Sequence, residues 1–381
     1  MTVISNVMDN SSAFWVVNSL FVFALSVFCA GVLIPQILLI SFRKRLFDVP
    51  DERKIHQGVV PRLGGIAFKP VVFFSVALAL GLNMLLGYGQ LLGNIGSESR
   101  PLAFGFCTIM MLYLVGMADD LIGIRYRAKF AIQIICGLLV IAGGLWINNL
   151  HGLLFIHALP EWIGYPITLF AVVFIINAIN LIDGIDGLAS GLCGVAMLFY
   201  GLVFFIIGEY IYALLAFATL GVLVPFFYYN VFGDPAKKNK IFMGDTGSLT
   251  IGMMTCILSL KLLNGFPVNP SMQQPNAFFL AYSPLIIPCF DVVRVYLHRV
   301  RNGKNPFLPD KNHIHHKMLA IGMKQRTAMI TIVLISVCFT LCNILLSRYI
   351  NVTLLLVLDI FIWTLGNLWL TRRIHIAHSK L

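Results

Sequence analysis

Residues 162–206 read WIGYPITLFAVVFIINAINLIDGIDGLASGLCGVAMLFYGLVFFI. Two apolar runs, about 162–181 and 187–208, meet at Asn180-Leu-Ile-Asp183-Gly-Ile-Asp186-Gly187. Roughly 20 apolar residues cross the hydrocarbon core of a bilayer, so each run is long enough to span. The stretch therefore reads as two transmembrane helices joined by a very short acidic turn. The i, i+3 spacing puts Asn180 and Asp183 on one helical face. Asn177, one turn earlier, carries that polar stripe into the bilayer. An Asp-Gly pair is also an ordinary turn signal. A charged group at a helix centre costs about 2.5–3.5 kcal/mol on insertion scales, and two tandem Asp-Gly pairs beside intramembrane asparagines favour a site over a plain turn.

The rest of the chain repeats the pattern. The 381 residues are 59% hydrophobic and 11% charged, where soluble domains carry about 25% charged residues. This excludes a set of soluble domains and predicts an all-α polytopic membrane bundle over 1–381, a single domain. The same ruler places eleven spans at about 14–42, 66–88, 101–118, 128–147, 162–181, 187–208, 210–232, 246–264, 278–298, 327–347 and 352–370. Of the 27 Lys and Arg, 22 fall in the alternate loops on the side of Arg43. The positive-inside rule then puts those loops and the C-terminus in the cytoplasm, with the N-terminus outside. The net charge of +11 is thus spread over loops that meet lipid head groups, and a nucleic-acid partner is not expected. The eight cysteines all lie in apolar stretches without a C-x-x-C pair, so neither a disulfide framework nor a zinc site is indicated. The first span runs straight into Arg43-Lys44-Arg45 and reads as a retained anchor.

On this count four clusters share the cytoplasmic side. Asp119-Asp120 ends the third span; adjacent carboxylates repel and raise each other's pKa unless a cation is near, a need that Mg²⁺ meets while leaving room for phosphate. A solvated helix end is the plain alternative. Asn180, Asp183 and Asp186 form the second cluster. Asp245, in Phe242-Met-Gly244-Asp-Thr-Gly-Ser248, opens the eighth span, whose free N–H groups favour an anion; alone, it reads as a charge that complements the helix dipole. His313-Ile-His315-His316 lies in the loop 299–326, where Lys304, Lys311 and Lys317 favour a phosphate over a zinc ion. The loop 48–65, with Arg53-Lys54-Ile-His56 and Pro61-Arg62-Leu-Gly-Gly65, could cradle a diphosphate or anchor helix ends. Asp291 and Arg294, at i, i+3, read as a structural ion pair, and Asp359 stands mid-span without an evident partner.

Taken in order, Arg53-Lys-x-His56, Pro61-Arg-Leu-Gly-Gly65, Asp119-Asp120, Asn177-Ala-Ile-Asn180-Leu-Ile-Asp183-Gly-Ile-Asp186-Gly187, Phe242-Met-Gly-Asp-Thr-Gly-Ser248 and His313-Ile-His-His316 make the chain resemble the polyprenyl-phosphate N-acetylhexosamine-1-phosphate transferases. The His-Ile-His-His form resembles the branch that uses UDP-N-acetylglucosamine and undecaprenyl phosphate. The runner-up is the branch that uses UDP-N-acetylmuramoyl-pentapeptide, which usually carries three consecutive histidines there.

The resemblance implies a bacterial inner-membrane enzyme with its site on the cytoplasmic face. Its cofactor would be Mg²⁺, with Mn²⁺ as a substitute, and its partners a UDP-N-acetylhexosamine, undecaprenyl phosphate and membrane lipid; a homodimer is left open. It also implies Asp120 and Asp245 in the metal environment, with Asp119 positioning or deprotonating the acceptor phosphate. Asn180, Asp183 and Asp186 would line the nucleotide-sugar pocket, while His313, His315 and His316, helped by Arg62, would hold phosphates. Asn177, Gly244, Lys311 and Lys317 would support them. Direct attack by the lipid phosphate is preferred to a phosphoryl-aspartate. A secondary transporter, the rival from another class, should carry its acids near the midplane in repeat-related spans, and no repeat is visible.

Overall fold

Each apolar run is helical in the computed structural model, which describes residues 2–46, 59–89, 98–265, 276–303, 305 and 312–378. In chain order the helices are α1 (Thr2–Lys44), α2 (Phe68–Leu85), α3 (Ser99–Ile122), α4 (Tyr126–Ala142), α5 (Glu161–Ile182), α6 (Leu188–Ile206) and α7 (Tyr210–Val231). They continue with α8 (Gly244–Gly265), α9 (Ala277–Tyr282), α10 (Ile286–Arg301), α11 (Ile314–Ala320), α12 (Gln325–Leu346) and α13 (Val352–His378). Among the described residues no strand forms; Asn149 and Ala158 make one isolated bridge. Helices satisfy every backbone group internally, which lipid demands.

Among the described residues, ten helical segments are long and apolar enough to cross a membrane, one fewer than the eleven expected. The expected span 128–147 is the shorter α4, whose 17 residues rise about 26 Å. It nevertheless runs the length of α3. Arg100, at the start of α3, donates from Nε and Nη2 to the Ala142 carbonyl at 2.8 and 2.6 Å, while Lys129, at the other end of α4, reaches Asp119. The expected span 278–298 is α9 and α10 joined through a 3₁₀ turn, Ser283–Leu285.

The centre of the bundle is α8, with every residue from Thr246 to Leu263 buried. It is enclosed by α3, α5, α6 and α9. Small and hydroxylic residues (Gly247, Thr250, Gly252, Thr255, Ser259) make this possible, because association in lipid depends on close van der Waals contact rather than on expulsion of water. Around it, Phe28, Phe170, Ile206 and many other large apolar side chains are exposed, as a lipid-facing rim requires. Asp359 is not alone: it accepts from Asn343 Nδ2 at 2.8 Å across the α12–α13 pair. At the opposite end from the acidic motifs, Lys261 is neutralised by Glu98 at 2.8 Å and Glu209 at 3.3 Å.

Because neighbouring spans run antiparallel, the C-terminal ends of α3 and α5 and the N-terminal ends of α4, α6 and α8 meet at one end. That meeting builds the site.

Candidate active site

The approach of α3 to α8 starts at Gly116. A Cβ there would lie 2.5 Å from the Thr246 Cα, so only glycine lets the two backbones come this close. One turn on, the Asp120 carboxylate reaches the first turn of α8. Its Oδ1 accepts from the Asp245 amide at 2.8 Å, and its Oδ2 accepts from the Thr246 amide and hydroxyl at 2.8 and 2.6 Å. Asp120 therefore caps α8 from a different helix, the job usually done by a residue beside the helix itself. Gly244 has φ +71°, and a Cβ on it would lie 2.1 Å from the Arg62 carbonyl and 2.5 Å from Asp120 Oδ2. The Pro61–Gly65 strip is latched alongside: Phe242 N donates to Pro61 O at 2.9 Å, and Gly64 N and Gly65 N donate to Phe242 O and Met243 O at 3.0 Å.

This latch presents Asp245 to its neighbours. Asp245 Oδ1 accepts from Asn180 Nδ2 at 3.1 Å, and the same amide donates to Ser248 Oγ at 2.8 Å. Lys129 Nζ lies 2.7 Å from Asp245 Oδ2 and 3.1 Å from Asp119 Oδ2. The other oxygen of Asp119 accepts from the Ile124 amide at 2.7 Å. The three carboxylates thus converge, with the ammonium between two of them. Lys129 was expected only as one of the orienting charges; its place one step inside the fourth span, just across a turn from Asp119-Asp120, was the available signal. Gln133, one turn further along α4, is buried and exchanges hydrogen bonds with Asn177 at 2.7 and 3.4 Å. Asn177 therefore supports α4 against α5 rather than lining open space.

Asp183 ends α5 in a cleft that solvent reaches. Crowding by protein, then the negative charges of Asp245, Asp186 and Asp120, push its carboxyl up to about 7, against the pull of Arg62. Asp186 pairs with Lys240 at 2.5 Å, and both line a cavity of ≈ 330 Å³ with Lys324 and Arg326. The histidine segment closes the same side. The ring of His315 lies against Gly184, where a Cβ would come within 2.2 Å of Nε2. His315 stacks on His313 with centroids 5.7 Å apart and touches His316 at 4.3 Å. It is buried with neither ring nitrogen hydrogen-bonded, and burial, then the His316 charge, lowers it to about 3. His313 is held by Asp291, with Nδ1 2.8 Å from Oδ2, so the pair expected from Asp291 and Arg294 is real but extends to a histidine. Lys317 donates to Thr371 Oγ1 at 3.0 Å; burial, then Arg294, brings its ammonium down to about 8. Arg53, Lys54, His56 and Lys311 lie outside the described residues.

Among the described residues no three carboxylates, histidines or cysteines gather as a ready-made metal site. Two carboxylates, Asp119 and Asp245, do share one cation, the Lys129 ammonium. That donor set suits Mg²⁺, which takes one or two protein carboxylates and completes its shell with water and substrate phosphate. Asp120 fits less well as an open ligand, since both its oxygens are engaged by α8.

The model of glycosyl transferase family 4 matches residues 102–263, which hold the three carboxylates, Lys129 and the Asn180–Asp186 turn but not the histidines. The undecaprenyl-phosphate alpha-N-acetylglucosaminyl 1-phosphate transferase of Yersinia pestis is 31% identical over 319 residues, 81% of this chain and 79% of that protein. The protein of the same name in Escherichia coli K12 is 31% identical over 76% and 73% of the two chains. The probable undecaprenyl-phosphate N-acetylglucosaminyl 1-phosphate transferase of Bacillus subtilis 168 is 30% identical over 89% and 88%. Identity at that level over most of both partners places this membrane protein in glycosyl transferase family 4.

Proposed function

We propose that the protein transfers N-acetylglucosamine 1-phosphate from UDP-N-acetylglucosamine to undecaprenyl phosphate, releasing UMP at the cytoplasmic face of a bacterial inner membrane. The observation that carries the reading is the Lys129 ammonium held between Asp119 and Asp245: a charged nest for phosphate at the membrane boundary. The names of the relatives favour N-acetylglucosamine over the pentapeptide-bearing sugar.

The chemical task is to join two anionic phosphates. An oxygen of the lipid phosphate attacks the β-phosphorus of the donor, the bond from that phosphorus to the bridging oxygen breaks, and UMP leaves with the bridging oxygen. Mg²⁺ bound at Asp119 and Asp245 would neutralise the diphosphate and the departing UMP. Lys129, beside both carboxylates, would supply a positive charge where negative charge develops on the transferring phosphoryl group. Asn180 keeps Asp245 aimed by donating to its second oxygen. Asp120 holds the first turn of α8, on which Asp245 stands. His315, neutral and buried with both ring nitrogens available, can pass one hydrogen bond to the donor's phosphate or sugar. The prenyl tail stays in lipid, since extracting it would cost about 0.8 kcal/mol per CH₂.

The test uses membranes containing the protein, UDP-N-acetylglucosamine labelled in the sugar, undecaprenyl phosphate and Mg²⁺. Label should pass into the organic phase with one UMP released per transfer. Release of UDP instead would mean that sugar moves without its phosphate, and the proposal would fail.

A further inference from the structure

Asp291 sits on α10 at 0% exposure, outside every acidic motif of the sequence. Three contacts meet its carboxylate. Arg294 Nη2 donates to Oδ1 at 2.8 Å, the Ile314 amide donates to the same oxygen at 3.0 Å, and His313 Nδ1 faces Oδ2 at 2.8 Å. Arg294 also donates to the Asn312 carbonyl, so the backbone on both sides of His313 is tied to the same ion pair. A buried carboxylate is costly without compensation, and a structural ion pair would be complete with Arg294 alone. The carboxylate instead turns its second oxygen to one imidazole, and the backbone at Asn312 and Ile314 holds that ring in place.

The consequence is geometric. A carboxylate can only accept, so the facing Nδ1 carries the hydrogen and Nε2 is the nitrogen left for the pocket. An imidazole's free nitrogen is set by the hydrogen bond the other one makes. His313 lies parallel to His315, with 5° between the planes, and His315 is wedged against Gly184 beside Asp183. A rotation of His313 would therefore disturb the ring that closes the acidic cleft. We infer that Asp291 is a positioning residue for the phosphate transfer, acting through His313: it fixes which ring nitrogen faces the donor and locks the histidine segment over the acidic cleft. The inference rests on the proposed transfer reaction. It enlarges the site by an acid and an arginine from α10, a helix that carries none of the motifs.

The experiment compares wild type, D291N, H313Q and the double variant in detergent or nanodiscs, by steady-state UMP release. An asparagine at 291 can still accept from Ile314 and Arg294, but it turns an amide N–H toward His313 and so selects the other tautomer. D291N should lower kcat about 10–100-fold, the range seen when partners that orient a functional histidine are removed, with KM for UDP-N-acetylglucosamine changed less than about 3-fold. In the H313Q background the same change should cost less than about 2-fold, because its route is gone. Wild-type-like turnover by D291N, or an equal loss with and without His313, overturns the inference. Nitrogen-15 resonances of His313 in the wild type stand independent of whether D291N folds. A protonated Nδ1 supports the inference and a ring protonated at Nε2 alone overturns it. Should the wild type release no UMP, the function itself fails, which none of these variant ratios could mimic.

Discussion

At the scale of single residues, three neighbouring acids divide their labour by what their oxygens touch. Asp245 and Asp119 share an ammonium, whereas Asp120 is spent on three donors of α8. D120N should therefore lower thermal stability as well as transfer, since an amide cannot satisfy all three donors and an unmet buried one costs about 1–3 kcal/mol. D245N should abolish transfer with the melting temperature nearly unchanged, and thermal unfolding of both variants beside UMP release checks the split. K129M should cost about 10²–10³ in kcat, the usual loss when one fixed donor to a developing charge is removed; turnover within about 3-fold of wild type would remove Lys129 from the mechanism. The Lys317 ammonium, brought down to about 8 by burial and then by Arg294, is charged below that pH and neutral above it. If it helps hold phosphate, kcat/KM falls as pH rises through about 8, and K317R, charged throughout, moves that fall upward. A pH profile of both proteins decides it.

Among the elements, the decisive contact is the crossing of α3 and α8. G116V puts bulk where even a Cβ lies 2.5 Å from the Thr246 backbone, and overpacking of this kind costs about 1–3 kcal/mol. It should lower the melting temperature and transfer together, because moving α3 withdraws Asp119 and Asp120 at once. G184A acts on a smaller lever: the nearest atoms its Cβ would meet belong to the His315 ring. It should raise KM for the nucleotide sugar while leaving the melting temperature near wild type, and titration of the donor with thermal unfolding separates the two effects. The expected helix ends were close, within a few residues at most spans, because hydrophobic length is a local property. The short turns at 183–187 and near Gly208 survive in the structure as expected. What the periodicity did not give is which helix lies against which, since apolar faces all round carry no stripe that names a partner.

For the molecule as a whole, removal of divalent metal by EDTA should abolish transfer, with recovery on adding Mg²⁺ and little change in melting temperature. The α8 terminus is capped by Asp120 from α3, so a large loss of stability on chelation would contradict the proposed site. Sequence alone determined the rough limits of the apolar runs, counted as eleven against ten crossing-length segments among the described residues, and that the acids and histidines share one end. Those follow from one-dimensional quantities: length against bilayer thickness, charge against membrane orientation, and alternation of direction along the chain. Tertiary structure decided the rest. It drew Lys129 between Asp119 and Asp245, gave Asp120 to α8, and tied His313 to Asp291. The physical reason is that in lipid the choice of neighbour rests on close packing at small residues such as Gly116 and on hydrogen bonds between groups far apart in the chain, and neither is written in the hydrophobic pattern of any single span.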